Sequence, residues 1–412
     1  MLIQRHIEPR LMRALASSPV VLLNGARQTG KSTLAREVSN RHTGARYYTL
    51  DDAAILSAID LDPQGFLGGI DGPMVLDEIQ LAPKALRAIK LEVDRARQPG
   101  RFLLTGSANP MLLPKLSDAL VGRMEVVSLY PFSQGEWAGR PERFVDLAFA
   151  PGAWPQHRAT MDRNALLQAA LRGGYPEMLT RTDAAQRRDW FASYLTTVLH
   201  RDVRQIAQIE QLAQMPRLLS LLAARSMGLL NVQELSSDAG LAHATLKRYL
   251  SLLMAVMLVH LLPPWFGNVS KRLIKTPKVM LTDTGLLGHL LALDARGVDQ
   301  NPAATGRVLE NFVGAELLKQ IGWAQRRCGL HYYRTAARHE VDFVLEDDSG
   351  QLVGIEVKAS AALGDRDVRG LLDLAQTAGR RFVRGLILYG GEQTIPFASN
   401  IHATPIDSLW AL

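Results

Sequence analysis

The chain has 412 residues, of which 47% are hydrophobic and 21% are charged, so we expect about two to four folded domains and exclude a disordered protein. Its single cysteine, Cys328, excludes an intramolecular disulfide and a cysteine-rich metal site. The net charge of +7 is modest for this length and by itself indicates no partner. The N-terminus lacks the apolar core of a signal peptide, and the longest apolar run, residues 250–262, is too short to span a bilayer. A cytoplasmic location without membrane contact is therefore expected.

Over the first 135 residues, short apolar runs alternate with segments of helical spacing. The runs lie at residues 20–23, 47–50, 74–76, 102–105 and 125–129. This alternation is typical of a parallel sheet covered by helices on both faces, so it predicts the α/β class and a first domain over residues 1–140. A segment rich in proline, glycine and tryptophan follows at residues 141–155 and is predicted to be a connection.

The rest of the chain divides into three regions. Residues 155–211 have helical spacing without strand signals, which predicts a helical lid or linker. Residues 212–295 combine helices with the pattern of a β-hairpin. The last region, residues 305–412, predicts a second α/β unit, with a helix at 308–321 and strands near 332, 341–345, 352–358 and 382–389.

A P-loop pattern lies between the first apolar run and a helical segment. Residues 25–32 read GARQTGKS, a glycine, four residues, and then Gly-Lys-Ser. Its backbone N–H groups turn inward on phosphates, which requires glycine at Gly25 and Gly30. Lys31 is predicted to reach the β- and γ-phosphates and Ser32 to ligate Mg²⁺. The predicted ATP-binding residues are Gly25, Ala26, Arg27, Gln28, Thr29, Gly30, Lys31, Ser32 and Thr33.

A second motif completes this site. Residues 72–80 read GPMVLDEIQ, an apolar strand that ends in two carboxylates. Asp77 is predicted to join the Mg²⁺ shell, and Glu78 to orient and polarise the attacking water. Alone, such a pair would be just as typical of an ordinary polar strand end, but the P-loop upstream favours the Walker B interpretation.

Two further groups are candidates for contact with the γ-phosphate. Ser107, with Thr105 and Asn109 as neighbours, ends the strand predicted at residues 102–105, where P-loop ATPases with a catalytic glutamate place a polar sensor. A plain Gly-Ser turn is the alternative. Arg123 precedes the last core strand, where ring ATPases carry an arginine that acts on a neighbouring subunit. A structural arginine at a sheet edge remains open.

The third region carries a basic stretch. No Asp or Glu occurs between residues 241 and 282, and such a stretch attracts a polyanion such as DNA. Two short helices, a turn at Gly240, a third helix and a β-like pair predict a winged helix. The predicted phosphate contacts are Lys247, Arg248, Lys271, Arg272, Lys275 and Lys278. A solvated face or a protein-interaction module would have the same composition.

The last region places charged residues inside apolar strands. Asp342 and Glu356 flank a hairpin turn, so they can converge, and Lys358 points to the same face as Glu356. Two such carboxylates could hold Mg²⁺, with the lysine handling the attacking water. The PD-(D/E)XK nuclease pattern is matched, with Glu310 as a further acid near the metal. A module that only binds DNA, without cutting it, stays open.

The ordered set of motifs resembles a known family. The matching segments are GARQTGKS, VLDEIQ, LLTGSAN, LVGRMEVVSLYPFSQGE, GGYPEML, EVDFVLEDDSG and GIEVKAS. They resemble the AAA-type P-loop ATPases that carry a C-terminal DUF4143 domain. The resemblance implies an AAA-type ATPase core, a helical lid, a winged-helix domain and a C-terminal PD-(D/E)XK nuclease-like α/β domain.

The sequence thus predicts an ATPase that uses Mg²⁺ and acts on DNA, as a homo-oligomer such as a hexameric ring. Branched or damaged DNA is one option, which no residue selects. Two other functions stay open: an ATP-driven signalling or assembly switch with slow turnover, and a nuclease gated by ATP.

Overall fold

The structure, a computed structural model, describes residues 2–41, 45–107, 120–203, 212–267, 275–398 and 400–412. Within these residues, the N-terminal sheet has five parallel strands in the order β2-β3-β4-β1-β5. The strands are β1 (Val20–Asn24), β2 (Arg46–Thr49), β3 (Met74–Asp77), β4 (Phe102–Gly106) and β5 (Met124–Ser128). Each lies at the place that its apolar run predicts.

Both faces of this sheet are covered by helices. The helices are α1 (Glu8–Ser17), α2 (Lys31–Arg41), α3 (Ala53–Leu61), α4 (Pro63–Gly68) and α5 (Ala85–Arg95). Val20 and Leu22 of β1 pack in an apolar cluster with α3–α5, whereas Val21 and Leu23 pack with α1 and α2. Burial on both faces explains why the strands are continuous apolar runs. The predicted α/β class with a parallel sheet is confirmed.

The strand order determines which residues meet. Because the strands are parallel, their carboxyl ends lie along one edge of the sheet. β1 leads into the P-loop at this edge, and β3 ends at Asp77. β4 lies between them and leads into Ser107.

The segment expected to be a plain connection contributes to a core. After α6 (Gln134–Ala138), the chain forms α7 (Phe144–Phe149) and, further on, α8 (Arg163–Arg172). Phe144, Phe149 and Trp154 are buried in the same apolar cluster as the C-terminal sheet. Arg384 of that sheet donates hydrogen bonds to backbone carbonyls at positions 150 and 152, both at 2.9 Å. Large apolar side chains in this segment are buried because the sheet offers them a face.

A helical body follows. Its elements are α9 (Ala184–Thr197), a π-helical turn (Val198–Asp202), α10 (Met215–Ala224), α11 (Val232–Ala239), α12 (His243–Ala255) and the antiparallel strands β6 (Val259–Leu262) and β7 (Lys278–Leu281). Their apolar side chains share one cluster. Gly240, with a φ of +64°, makes the turn between α11 and α12. Two short helices, α13 (Thr284–Leu290) and α14 (Ala295–Asp299), complete this part.

The C-terminal sheet has six strands in the order β12-β13-β11-β10-β9-β8. These are β8 (Cys328–Arg334), β9 (Glu340–Asp347), β10 (Leu352–Lys358), β11 (Phe382–Tyr389), β12 (Ile395–Ala398) and β13 (Ile401–Pro405). One face packs on the long helix α15 (Pro302–Trp323), and the other on α16 (Arg369–Ala378). The chain ends in α17 (Ser408–Ala411). Throughout the described residues, no helix is long and apolar enough to cross a membrane.

Candidate functional site

The P-loop connects β1 to α2 at the carboxyl edge of the first sheet. A Cβ on Gly25 would lie 2.3 Å from the carbonyl oxygen of Leu129, so only glycine fits there. Gly30 has a φ of +93°, where a side chain would be strained. Gln28 adopts a left-handed φ of 63° without being glycine, which is typical of loops at binding sites.

Lys31 lies inside this loop and is 5% exposed. Its Nζ donates to the carbonyl oxygens of Gly25 and Ala26, both at 3.0 Å. Burial lowers the pKa of Lys31, although Glu78, Asp202 and Asp77 act in the opposite direction. The ammonium group is therefore held at the loop by contacts that a phosphate can take over. Of the other predicted loop residues, Thr29 is buried, and its hydroxyl donates to the Ala26 carbonyl oxygen. Thr33 is exposed on α2.

Ser32 and Asp77 meet beside the lysine. The Ser32 hydroxyl donates to Asp77 Oδ1 at 3.1 Å, and the Tyr47 hydroxyl donates to Asp77 Oδ2 at 2.6 Å. Thr105 also donates to Asp77 Oδ1. A hydroxyl and a buried carboxylate at this spacing are oxygen ligands of the kind that Mg²⁺ prefers. The residues present fit a Mg²⁺–nucleotide complex.

Glu78 and Ser107 are linked through one side chain. The Gln80 side-chain amide donates both to the Glu78 carboxylate and to Ser107 Oγ, the latter at 3.1 Å. The Glu78 backbone N–H donates to Thr105 Oγ1 at 3.0 Å, and its φ of 63° is left-handed. Thr105 thus holds the two acidic residues in place. Asn109 lies outside the described residues.

Arg123 lies at the opposite edge of the same sheet. Its carbonyl oxygen accepts a hydrogen bond from Val20, the first residue of β1, whereas the P-loop follows the last residue. Its guanidinium makes two contacts with Asp94, at 2.6 and 3.1 Å, and it lowers the pKa of that carboxyl. Within one chain it does not reach the P-loop. Its role toward a neighbouring subunit stays a prediction.

The structure brings two unexpected residues to the P-loop. Arg5 donates to the Thr29 carbonyl oxygen at 2.8 Å and pairs with Glu136 at 3.0 Å. Asp202, at the end of the π-helical turn, lies 2.9 Å from the Arg27 guanidinium. Neither residue belongs to a recognisable pattern in the sequence. Both contacts join parts of the chain that are far apart, so no local signal could have predicted them.

In the C-terminal sheet, the predicted carboxylates do converge. Asp342 Oδ2 accepts a hydrogen bond from the Val357 N–H at 2.9 Å, and Glu356 Oε2 accepts one from the Asp342 N–H at 3.4 Å. Lys358 Nζ lies 2.7 Å from Glu356 Oε1. Burial and the Asp342 charge raise the pKa of Glu356 to about 8. The same two causes raise the pKa of Glu310 to about 8.

The structure corrects the interpretation of Lys278 as a DNA contact. Lys278 lies on β7 and is 2% exposed, with its Nζ 2.5 Å from Glu340 Oε1 and 3.9 Å from Asp342 Oδ1. Burial lowers the pKa of Lys278, but Asp342 and Glu340 outweigh it and raise that pKa. The lysine neutralises the acids beside the C-terminal sheet and does not face a polyanion. Among the described residues, no group of three or more His, Cys, Asp or Glu side chains is arranged to hold a metal ion.

The other predicted DNA contacts fall into two groups. Lys247 and Arg248 are exposed on α12, and Lys275 is exposed just before β7. Lys271 and Arg272 lie outside the described residues. The exposed cations therefore lie on the third helix and near one strand of the β6–β7 pair.

Comparisons with known proteins match the chain along its length. The AAA domain family matches residues 17–138, a domain of unknown function, DUF8612, matches residues 163–297, and the domain of unknown function DUF4143 matches residues 305–409. The chain is 34% identical to two uncharacterized proteins, Rv2008c of Mycobacterium tuberculosis and Mb2031c of Mycobacterium bovis, over 99% of this chain and 85% of each relative. The solved structure of C. elegans PCH-2 is 12% identical, with a TM-score of 0.20 over 60% of this chain and 65% of that one.

Proposed function

The chain belongs to the family of AAA-type ATPases that carry a C-terminal DUF4143 domain, and we propose that it hydrolyses ATP with Mg²⁺ at its P-loop. The observation that carries the proposal is the Ser32–Asp77 contact of 3.1 Å beside the buried Lys31. The Ser32 hydroxyl and the Asp77 carboxylate would hold a Mg²⁺ ion bound with the nucleotide, and that ion would offset the negative charge of the phosphates. A loop that only bound an anion would need neither the Ser32 hydroxyl nor the Asp77 carboxylate.

Each residue has a separate role in this proposal. The loop N–H groups and Lys31 bind the phosphates, while Glu78 accepts a proton from the water that attacks the γ-phosphorus. Ser107, linked to Glu78 through Gln80, reports the presence of the γ-phosphate. Arg123 acts on a neighbouring subunit, so the active species is a homo-oligomer such as a hexameric ring.

Release of phosphate from ATP tests the proposal directly. We expect turnover that requires Mg²⁺, stops with EDTA and is lost in Lys31→Ala. Arg95→Ala is a matched control, because it removes a cation that is 70% exposed at the end of α5. Absence of turnover in the wild-type oligomer with Mg²⁺ would contradict the proposal.

We further propose that the ATPase acts on DNA. The support is the exposed pair Lys247 and Arg248 on α12, the third helix of the arrangement α10–α11–α12, together with the exposed Lys275 beside the β6–β7 pair. In a winged helix, these are positions that contact phosphates. ATP turnover with linear, single-stranded and junction DNA tests this step. Stimulation by DNA is expected; equal rates with and without every form would favour the rival function, an ATP-driven signalling or assembly switch.

The C-terminal module supplies a second proposed contact with DNA, of the PD-(D/E)XK nuclease type. Its support is the convergence of Asp342, Glu356 and Lys358 on one face of the sheet. The two carboxylates would hold Mg²⁺, whose charge offsets their mutual repulsion, and Lys358 would orient water toward a phosphodiester. If the module cuts, the chain is a nuclease gated by ATP.

A further inference from the structure

The π-helical turn Val198–Asp202 joins the helical body to the nucleotide site. Its side chains Val198 and Leu199 are buried in the apolar cluster that α10, α11 and α12 share. At its end, Asp202 is 3% exposed and points Oδ1 at Arg27 Nη1, 2.9 Å away. π-helical turns are rare and occur often at functional sites. One short turn therefore has one end in the helical body and the other at the P-loop.

The Asp202 carboxylate is only partly satisfied by this contact. Its second oxygen, Oδ2, is buried and has no hydrogen-bond partner among the residues that the structure describes. Burial raises the pKa of Asp202, while Arg27 lowers it; Glu78 and Lys31 act on it in opposite directions. An anionic oxygen without a donor is costly inside a protein. The carboxylate is held where it is chiefly by Arg27.

Phosphates in the P-loop compete for the same cation. Arg27 is the third residue of the loop, and a triphosphate held by Lys31 brings several negative charges next to Asp202. Like charges at this range repel, and one guanidinium does not satisfy both anions fully. A γ-phosphate offers Arg27 more charge and more acceptor oxygens than a carboxylate does. When ATP is bound, it is therefore favourable for Arg27 to leave Asp202 and pair with the γ-phosphate.

We infer that the Arg27–Asp202 ion pair is a nucleotide-sensitive latch, in which the γ-phosphate of ATP takes Arg27 from Asp202 and frees the π-helical turn. Asp202 acts through Arg27 as a positioning residue, and its release passes to the helical body through Val198 and Leu199. The inference rests on the proposed ATP site. ADP lacks the γ-phosphate, so it leaves the latch closed.

Affinity for a non-hydrolysable ATP analogue and for ADP tests the latch. Asp202→Asn removes the competing charge, so we expect the ATP analogue to bind more tightly by on the order of tenfold, and ADP to change much less. Arg27→Gln should remove most of the preference for the ATP analogue over ADP. In an Arg27→Gln background, Asp202→Asn should have a much smaller effect than in wild type, because most of its effect acts through Arg27.

Arg201→Ala is the matched control. It removes an exposed pair with Asp51 at 3.4 Å, one residue before Asp202, and should change neither affinity. A second readout is amide hydrogen exchange over residues 184–202, which the ATP analogue should accelerate in wild type and ADP should not. This measurement uses only the wild-type protein, so it does not depend on whether a variant folds.

The outcomes separate the latch from the ATPase itself. If wild type binds the analogue but Asp202→Asn binds it equally or more weakly, the latch is wrong and the ATPase proposal survives. Unchanged exchange over residues 184–202 with the analogue bound would also overturn the latch. If wild type binds no nucleotide, the proposed ATP site is wrong, and the latch falls with it.

Discussion

Lys31 and Glu78 differ in charge and in position along the carboxyl edge of the first sheet. Lys31 is buried in the loop, whereas Glu78 follows β3 and contacts Gln80. Lys31→Ala should abolish ATP binding. Glu78→Gln should keep binding and lower the turnover rate by about 10²–10⁴-fold, because an amide does not accept the proton of the attacking water. Equilibrium binding and phosphate release measure the two effects; wild-type turnover in Glu78→Gln would refute the Walker B interpretation.

Single residues differ in how far their roles follow from local sequence. Gly25 and Gly30 are predictable because backbone geometry demands glycine, and Asp77 because it ends an apolar strand downstream of a P-loop. The prediction for Lys278 is wrong, since its burial depends on Glu340 and Asp342, which lie on β9 more than sixty positions later. Arg5 is not predictable for the same reason: its partner Glu136 is distant in sequence.

At the scale of elements, helix α12 and the β6–β7 pair carry the proposed DNA surface. Replacing Lys247, Arg248 and Lys275 by alanine together should weaken DNA binding at low salt. Removing one phosphate-binding cation should reduce the log–log salt slope by about one unit. The double variant Lys84→Ala, Arg95→Ala is a control, because both side chains are 70% exposed and lie at the two ends of α5, in the first domain.

Binding isotherms at several salt concentrations measure this slope. A slope that stays the same in the triple variant would move the DNA footprint to the C-terminal module. Lys278→Ala does not belong in this set, because it would leave the buried Asp342 without its neighbouring cation.

The hairpin β9–β10 decides whether the C-terminal module is an enzyme. If it cuts, cleavage should require Mg²⁺ or Mn²⁺ and be supported poorly by Ca²⁺. Asp342→Ala and Glu356→Ala should remove metal binding and cleavage together, whereas Lys358→Ala should keep the metal and slow the cut. ATP turnover without DNA should be unchanged in all three, because the P-loop lies on the other sheet. Metal titration and gel assays with DNA and RNA measure these effects.

If neither DNA nor RNA is cut with Mn²⁺, with or without ATP, the nuclease proposal is wrong and the module only binds nucleic acid.

Elements are easier to predict than their partners. The strands β8–β11 follow from apolar runs, but β12 and β13 are not predicted; the residues of β12 are exposed and include Pro396. The segment with α7 has the composition of a connection, and its burial depends on the sheet β8–β13, which begins at Cys328. Local sequence therefore indicates where an element lies but not which distant surface covers it.

At the scale of the whole molecule, Arg123 can act on a phosphate only between subunits. Arg123→Ala should impair hydrolysis with nearly unchanged nucleotide affinity. Mixing it with Glu78→Gln subunits should restore some activity, since each supplies what the other lacks at shared interfaces. Phosphate release in mixtures shown to co-assemble measures the recovery. No recovery would leave Arg123 as the partner of Asp94 alone.

A buried ion pair on α15, Glu316–Lys319, joins the C-terminal domain to the end of the AAA domain through two hydrogen bonds. Glu316 on α15 accepts from the Gln134 N–H at 2.9 Å, and Lys319 donates to Glu316 at 2.6 Å and to the Phe132 carbonyl oxygen at 3.0 Å. Burial raises the pKa of Glu316 to about 7, with Lys319 opposing it. A carboxyl whose pKa is higher in the folded than in the unfolded protein lowers the stability of the fold as pH rises. The loss occurs between the pKa of the unfolded state and the pKa of the folded state.

Thermal unfolding between about pH 5 and pH 8 checks this sign. The midpoint of Glu316→Gln should fall less with rising pH than that of wild type, even if the variant is less stable throughout. Parallel curves for the two proteins would show that Glu316 does not titrate in this window.

The burial of Phe144, Phe149 and Trp154 against the C-terminal sheet has a practical consequence for dissecting the protein. The last domain is interleaved: its apolar face is completed by a stretch that precedes the helical body in the chain. A fragment that starts at residue 305 would expose that face to water and aggregate. An excised C-terminal unit should instead fuse residues 141–172 to residues 300–412 through a designed loop. A protease cut between the two stretches would nick the domain without releasing either piece.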